Sequence, residues 1–180
     1  MRAVTLQETP RRWPAYVIAV GIGLFCVVVL AIAGGEQLLT DKPMTSDGLV
    51  AIGATVLRIG TIALALAAVT KWDRILPARL MSMALWAVAL GQLAYPAAET
   101  VVKAAILLDL MEPVNKGISN MSAVGWFNFG AAWLVWGVPG CLFTLLALDH
   151  RRRHQLSWVW APLGAVGGLV ALGALGFLIS

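Results

Sequence analysis

The sequence predicts an all-α fold, a polytopic integral membrane helical bundle of about five transmembrane helices forming one membrane domain over residues 1–180. Three observations carry that class. The chain is 60% hydrophobic and only 12% charged, with a mean hydropathy of +0.85, whereas soluble domains run about half apolar and a quarter charged. Several apolar runs approach or exceed the length of roughly 18 residues that spans a bilayer. The basic residues sit at the ends of those runs rather than along one face. The net charge of +4 is therefore read as membrane topology, with no nucleic-acid partner.

The first span covers residues 15–35, after Arg11, Arg12, Trp13 and Pro14. Pro14 suits a helix start because its missing N–H would be unpaired there, and Trp13 suits the interface. Ala31-Ile32-Ala33 has the small-residue pattern of a signal-peptidase site. The apolar stretch before it is long for a cleaved signal, so an uncleaved anchor is the expectation. A polar loop, EQLLTDKPMTSD, covers 36–47, and the second span covers 48–70 with Arg58 inside it. KWDR, residues 71–74, makes a short turn into a third span over 75–98.

Residues 99–112 read as an amphipathic segment lying along the outer interface, with Glu99 four residues before Lys103 in the favourable helical order. The fourth span covers 121–148, followed by DHRRRHQ as a basic loop over 149–155. The fifth covers 158–179, entered through Trp158 and Trp160, with Pro162 in its first turn.

Five spans place the termini on opposite sides. With the N-terminus in the cytoplasm, the inner segments hold nine Lys and Arg residues (Arg2, Arg11, Arg12, Lys71, Arg74, Arg79 and Arg151 to Arg153) and the outer ones three, Lys42, Lys103 and Lys116. The positive-inside rule selects that orientation, with the C-terminus periplasmic or extracellular. Ala/Gly/Val/Leu usage and short loops fit a bacterial inner membrane.

Helices in lipid associate by close packing and hydrogen bonds, which favours small residues at contacts. Gly164 and Gly168 supply such a face on the last span, and Gly53 and Gly60 on the second. Packing within the bundle is one reading; docking of a membrane-protein partner or a second copy through the glycine-rich last helix is the other. Pro139 and Gly140 interrupt the fourth span and predict a kink, either static or a hinge.

Arg58 poses the sharpest question. It lies ten residues into its span, about 15 Å deep, where a charge costs about 2.5–3.5 kcal/mol on insertion scales. Guanidinium does not escape by losing its proton. Gln92, Tyr95, Glu99 and Asn128 lie at compatible depths in the outer half, with Glu99 as candidate counter-charge. Two roles follow for this cluster: binding a polar or anionic ligand in an outward-facing pocket, or holding the helices in register.

Recognisable catalytic chemistry is missing. His150 and His154 are four apart, but the sequence offers them neither further ligands nor a setting other than a basic loop, so no metal and no cofactor is expected. CxxC, HExxH and Walker-type glycine patterns are absent. Cys26 and Cys141 lie inside apolar runs and read as packing residues, and Trp86, Trp126, Trp133 and Trp136 as bulk packing. Asn128-Phe129-Gly130-Ala131-Ala132-Trp133 resembles the Asn-x-Gly-Ala-Ala-Phe stretch of the lipoprotein signal peptidases, over six residues; the second motif of that family, with its aspartate near the start of a later span, has no counterpart here. The expected function is a non-enzymatic accessory or structural subunit of a membrane complex. The alternative is a small transporter or channel for a polar or anionic solute.

Overall fold

The computed structural model describes residues 10–40, 46–114 and 116–179. They form helices α1 (Trp13–Thr40), α2 (Ser46–Ala67), α3 (Ala78–Leu107), α4 (Ala123–Ala132), α5 (Val138–Arg153) and α6 (Trp160–Ile179). Short 3-10 turns at Lys71–Arg74 and Gly117–Ser119 lie between them, and a π-turn, Trp133–Gly137, joins α4 to α5 without a break. No strand occurs among the described residues. Three helical stretches, Trp13–Ile32, Ala78–Leu107 and Ala123–Arg153, are long and apolar enough to cross a membrane. The apolar helices are thus compatible with a membrane location.

α3 packs against α6 on one side and α5 on the other, while α1 packs against α2 and α5. Ala15, Ile18, Ile22 and Cys26 form one face of α1 at helical spacing, meeting Leu142, Phe143, Leu146 and Ala147 of α5 and Met81, Leu85 and Ala89 of α3 in the core. Arg11, Lys71, Arg79 and the run Arg151-Arg152-Arg153 gather at one end of the bundle, here called the basic end.

Several expectations need correction. The segment over 99–112 is not a separate interfacial helix. α3 runs unbroken through Leu107, and at 30 residues it is about 45 Å long. Its charged side faces inward: Glu99 and Lys103 are buried, while Val101 and Leu107 are exposed. The amphipathic pattern is real, but the two charges pair with each other instead of seeking water. The stretch over 149–155 is likewise helix for most of its length, because α5 continues through Arg153 and only His154 and Gln155 lie in the turn beyond it. Helix α1 passes through Ala31-Ile32-Ala33 and ends only at Thr40.

Pro139 has no N–H for the carbonyl four residues back, and the π-turn over Trp133–Gly137 stands directly before it, where the changed winding absorbs that mismatch. Gly140 is a packing site, since an added Cβ would stand 2.7 Å from Leu93 Cγ on α3. On α6, a Cβ at Gly164 would collide with the Met83 backbone, and one at Gly168 would stand 2.9 Å from Ala87 Cα. The small-residue face of α6 is thus filled by α3. A Cβ added at Gly53 or Gly60 would meet nothing within 4 Å among the described residues, so there their seven-residue spacing marks no close helix contact. Cys26 is buried, Cys141 exposed, and both are free.

Candidate functional site

Of the expected outer cluster, Gln92, Tyr95 and Glu99 stay together on α3, while Arg58 takes other partners. The Arg58 guanidinium lies between two aromatic rings, 4.3 Å from the Phe25 centroid on α1 and 4.2 Å from the Trp136 centroid in the π-turn. Arg58 is 7% exposed. Glu99 is out of its reach. Arg58 stands nine residues from the end of α2 and Glu99 twenty-one from the start of α3. The two helix ends lie at one level, because α5 bonds both the Ala68 and the Ala78 carbonyls within a single turn. At about 1.5 Å per residue the two side chains are rooted roughly 18 Å apart along the bundle.

Glu99 pairs instead with Lys103, 3.6 Å away, each side chain 2% exposed. Lys103 Nζ donates to the Asn120 carbonyl at 2.6 Å and lies 5.0 Å from the Trp126 ring centroid. Tyr95 is half exposed one turn before Glu99, and Asn128 is exposed on α4. Gln92 is buried on the same stripe of α3 as Glu99, and Gln92 Oε1 and Glu99 Oε2 carry no hydrogen bond. Nearby, Trp133 Nε1 donates to the Thr100 hydroxyl at 3.1 Å, and that hydroxyl donates to the Pro96 carbonyl at 2.6 Å.

A second, denser polar cluster lies at the basic end. Asp73 sits in the short turn between α2 and α3, its side chain 10% exposed. His150 on α5 is fully buried. Its Nε2 stands 3.0 Å from the Ala78 carbonyl, and its Nδ1 3.2 Å from Asp73 Oδ1. Neither Nδ1 nor Oδ1 makes a hydrogen bond. His154, at the C-terminal cap of α5, places Nε2 3.0 Å from Asp73 Oδ2. Arg153 reaches across the same knot, donating from Nη1 to Asp73 Oδ2 at 2.9 Å, from Nε to Asp149 Oδ2 at 3.0 Å, and from Nη2 to the Ala68 carbonyl at 2.9 Å.

Local structure explains why these groups meet. Residues 150 and 154 share one helical face, as do 149 and 153. The helix then ends in a Schellman motif: Leu156 N–H bonds the Arg151 carbonyl at 3.0 Å and Gln155 N–H the Arg152 carbonyl at 3.3 Å, with Gln155 in the left-handed region at φ +51°. That termination fixes His154 as the last residue of the knot. Arg151 points away, stacked 3.6 Å from the Trp158 ring centroid and donating to the Leu156 carbonyl.

Sequence reasoning singled out the two histidines but missed Asp73, which lies 77 positions before His150 and has no local signal linking it to them. The four-residue spacing inside an apolar helix with no stop signal before Gln155 was the available clue. Lys103 was likewise readable as Glu99's partner from spacing alone. Comparison with known protein families, curated proteins and solved structures finds no match to this chain.

Proposed function

We propose that this chain is a five-span bacterial inner-membrane protein, N-terminus inside, acting as a non-enzymatic accessory or structural subunit of a larger membrane assembly. What supports this reading is the way the charges inside the bundle are settled within the chain. Both faces of the Arg58 guanidinium are covered by rings. Glu99 and Lys103 neutralise each other in a buried pair. An anion binds the in-plane N–H edge of a guanidinium and needs that edge accessible, whereas Arg58 is 7% exposed; here the arginine fastens α2 to α1 and to the π-turn. Extraction of a tagged chain directly into polymer nanodiscs, followed by native mass spectrometry, tests the proposal. A stoichiometric membrane-protein partner supports it, and a lone monomer under every extraction condition contradicts it.

A carrier for a polar solute is the second reading. It is favoured by Gln92 Oε1 and Glu99 Oε2, two buried acceptors without donors on one stripe of α3. Unlike a sealed bundle, a carrier exposes these groups to water in some state. Reaction of Gln92→Cys with an aqueous thiol reagent, in a background lacking Cys26 and Cys141, supports the carrier; complete protection counts against it.

A further inference from the structure

The cluster at the basic end holds two buried polar atoms that face each other without a hydrogen bond. A carbonyl oxygen only accepts hydrogen bonds, so His150 Nε2, 3.0 Å from the Ala78 carbonyl, carries a hydrogen. In the neutral ring Nδ1 then presents a lone pair. That lone pair stands 3.2 Å from Asp73 Oδ1, itself an acceptor, and both atoms are buried without a hydrogen bond. Two lone-pair donors held side by side away from water repel each other unless a cation, a proton or a metal ion, lies between them.

We propose that Asp73, His150 and His154 bind a divalent transition-metal cation of the zinc class. One ligand atom from each residue lies within 4.8 Å of the others. Tetrahedral bonds of about 2.0–2.1 Å put neighbouring ligand atoms roughly 3.3 Å apart, and the Nδ1–Oδ1 separation is 3.2 Å. His150 is already oriented as a metal ligand, its other ring nitrogen donating to a backbone carbonyl, the usual outer partner of a ligating histidine. His154 becomes the third ligand by exchanging its hydrogen bond to Asp73 Oδ2 for a bond from Nε2 to the metal. It sits at the helix cap with its side chain 31% exposed, which gives it room to turn. The fourth position lies on that exposed side and takes water.

The neighbouring arginines do not block this arrangement. Arg153 holds Asp73 through Oδ2, leaving Oδ1 free, and its charge is shared with Asp149. Arg151 is committed to Trp158 and Leu156. Two imidazoles with one carboxylate favour zinc, nickel, cobalt or copper over magnesium or calcium. Bound metal would tie the turn between α2 and α3 to the end of α5.

The test uses the full chain in nanodiscs, carrying a tag without histidine, stripped with a chelator and titrated with Zn²⁺ against a chromophoric competitor. The expected result is one Zn²⁺ per chain, with a rise in melting temperature and X-ray absorption showing imidazole ligands. His154→Gln, at the solvent edge, leaves the metal-free melting temperature near wild type while lowering affinity by roughly 100-fold or more, beyond the effect of losing an outer-shell partner. Asp73→Asn does the same to affinity. No stoichiometric Zn²⁺ on the wild-type chain overturns the proposal, as does unchanged affinity in His154→Gln; either result makes the knot a protonic ion-pair network only.

Discussion

Trp136→Leu removes one of the two rings that sandwich Arg58, and the structure sets the size of the effect. Under the proposed five-span arrangement, an arginine at the depth of Arg58 costs about 2.5–3.5 kcal/mol. A desolvated cation–π contact returns about 2 kcal/mol, and two rings at 4.3 and 4.2 Å together offset that cost. With Trp136 gone, one ring remains and the balance turns unfavourable. We expect a loss of about 2 kcal/mol, near thirty-fold in the folding equilibrium, beyond the packing lost with the indole. A double-mutant cycle with Arg58→Leu cancels the packing contribution. Equilibrium unfolding in mixed micelles, followed by far-UV circular dichroism so that indole loss does not distort the signal, gives the four free energies. A coupling of about 1.5–2 kcal/mol is expected. If Trp136→Leu costs as much in the Arg58→Leu background as in the wild type, the ring contacts do not hold the charge and the reasoning fails.

Other consequences follow from the same geometry. Lys103→Met alone strands a buried Glu99 and should cost about 3–5 kcal/mol, whereas Lys103→Met with Glu99→Leu should return close to wild-type stability in the same unfolding assay. Gln155→Gly relieves a left-handed backbone at the end of α5 and should stabilise by about 1 kcal/mol, read as a rise in melting temperature. Gly164→Val forces α6 away from the Met83 backbone and should destabilise by at least about 1–3 kcal/mol, while Gly60→Ala, with open space at its Cβ, should be neutral or mildly stabilising.

The helices were legible because their signals are local. Apolar runs, the proline at the start of α1, and Gly164 with Gly168 four positions apart can be read within one segment of chain, and α6 uses those two glycines against α3. The errors arose where a charge changed sides. A soluble-protein intuition turns Glu99 and Lys103 outward, but on α3 the apolar Val101 and Leu107 face out and the complementary pair four positions apart satisfies itself inside. The basic run after residue 148 likewise read as a loop because its charges suggested water, yet Arg153 and His150 spend their donors on carbonyls of the neighbouring helix ends. The partners of Arg58 were hidden because aromatic rings carry no formal charge and lie on other helices. Asp73 was hidden because its contacts to His150 and His154 exist only once α2, α3 and α5 are side by side.

The proposed five-span arrangement places the basic end of the bundle in the cytoplasm. Single cysteines at two exposed positions, Met111→Cys beyond the end of α3 and Ser157→Cys beyond the end of α5, in a chain carrying Cys26→Ala and Cys141→Ala, test it in intact cells with a membrane-impermeant thiol reagent. Position 111 should label from outside and position 157 only after the membrane is opened. Labelling of both from the same side, or of 157 from outside, would contradict the arrangement.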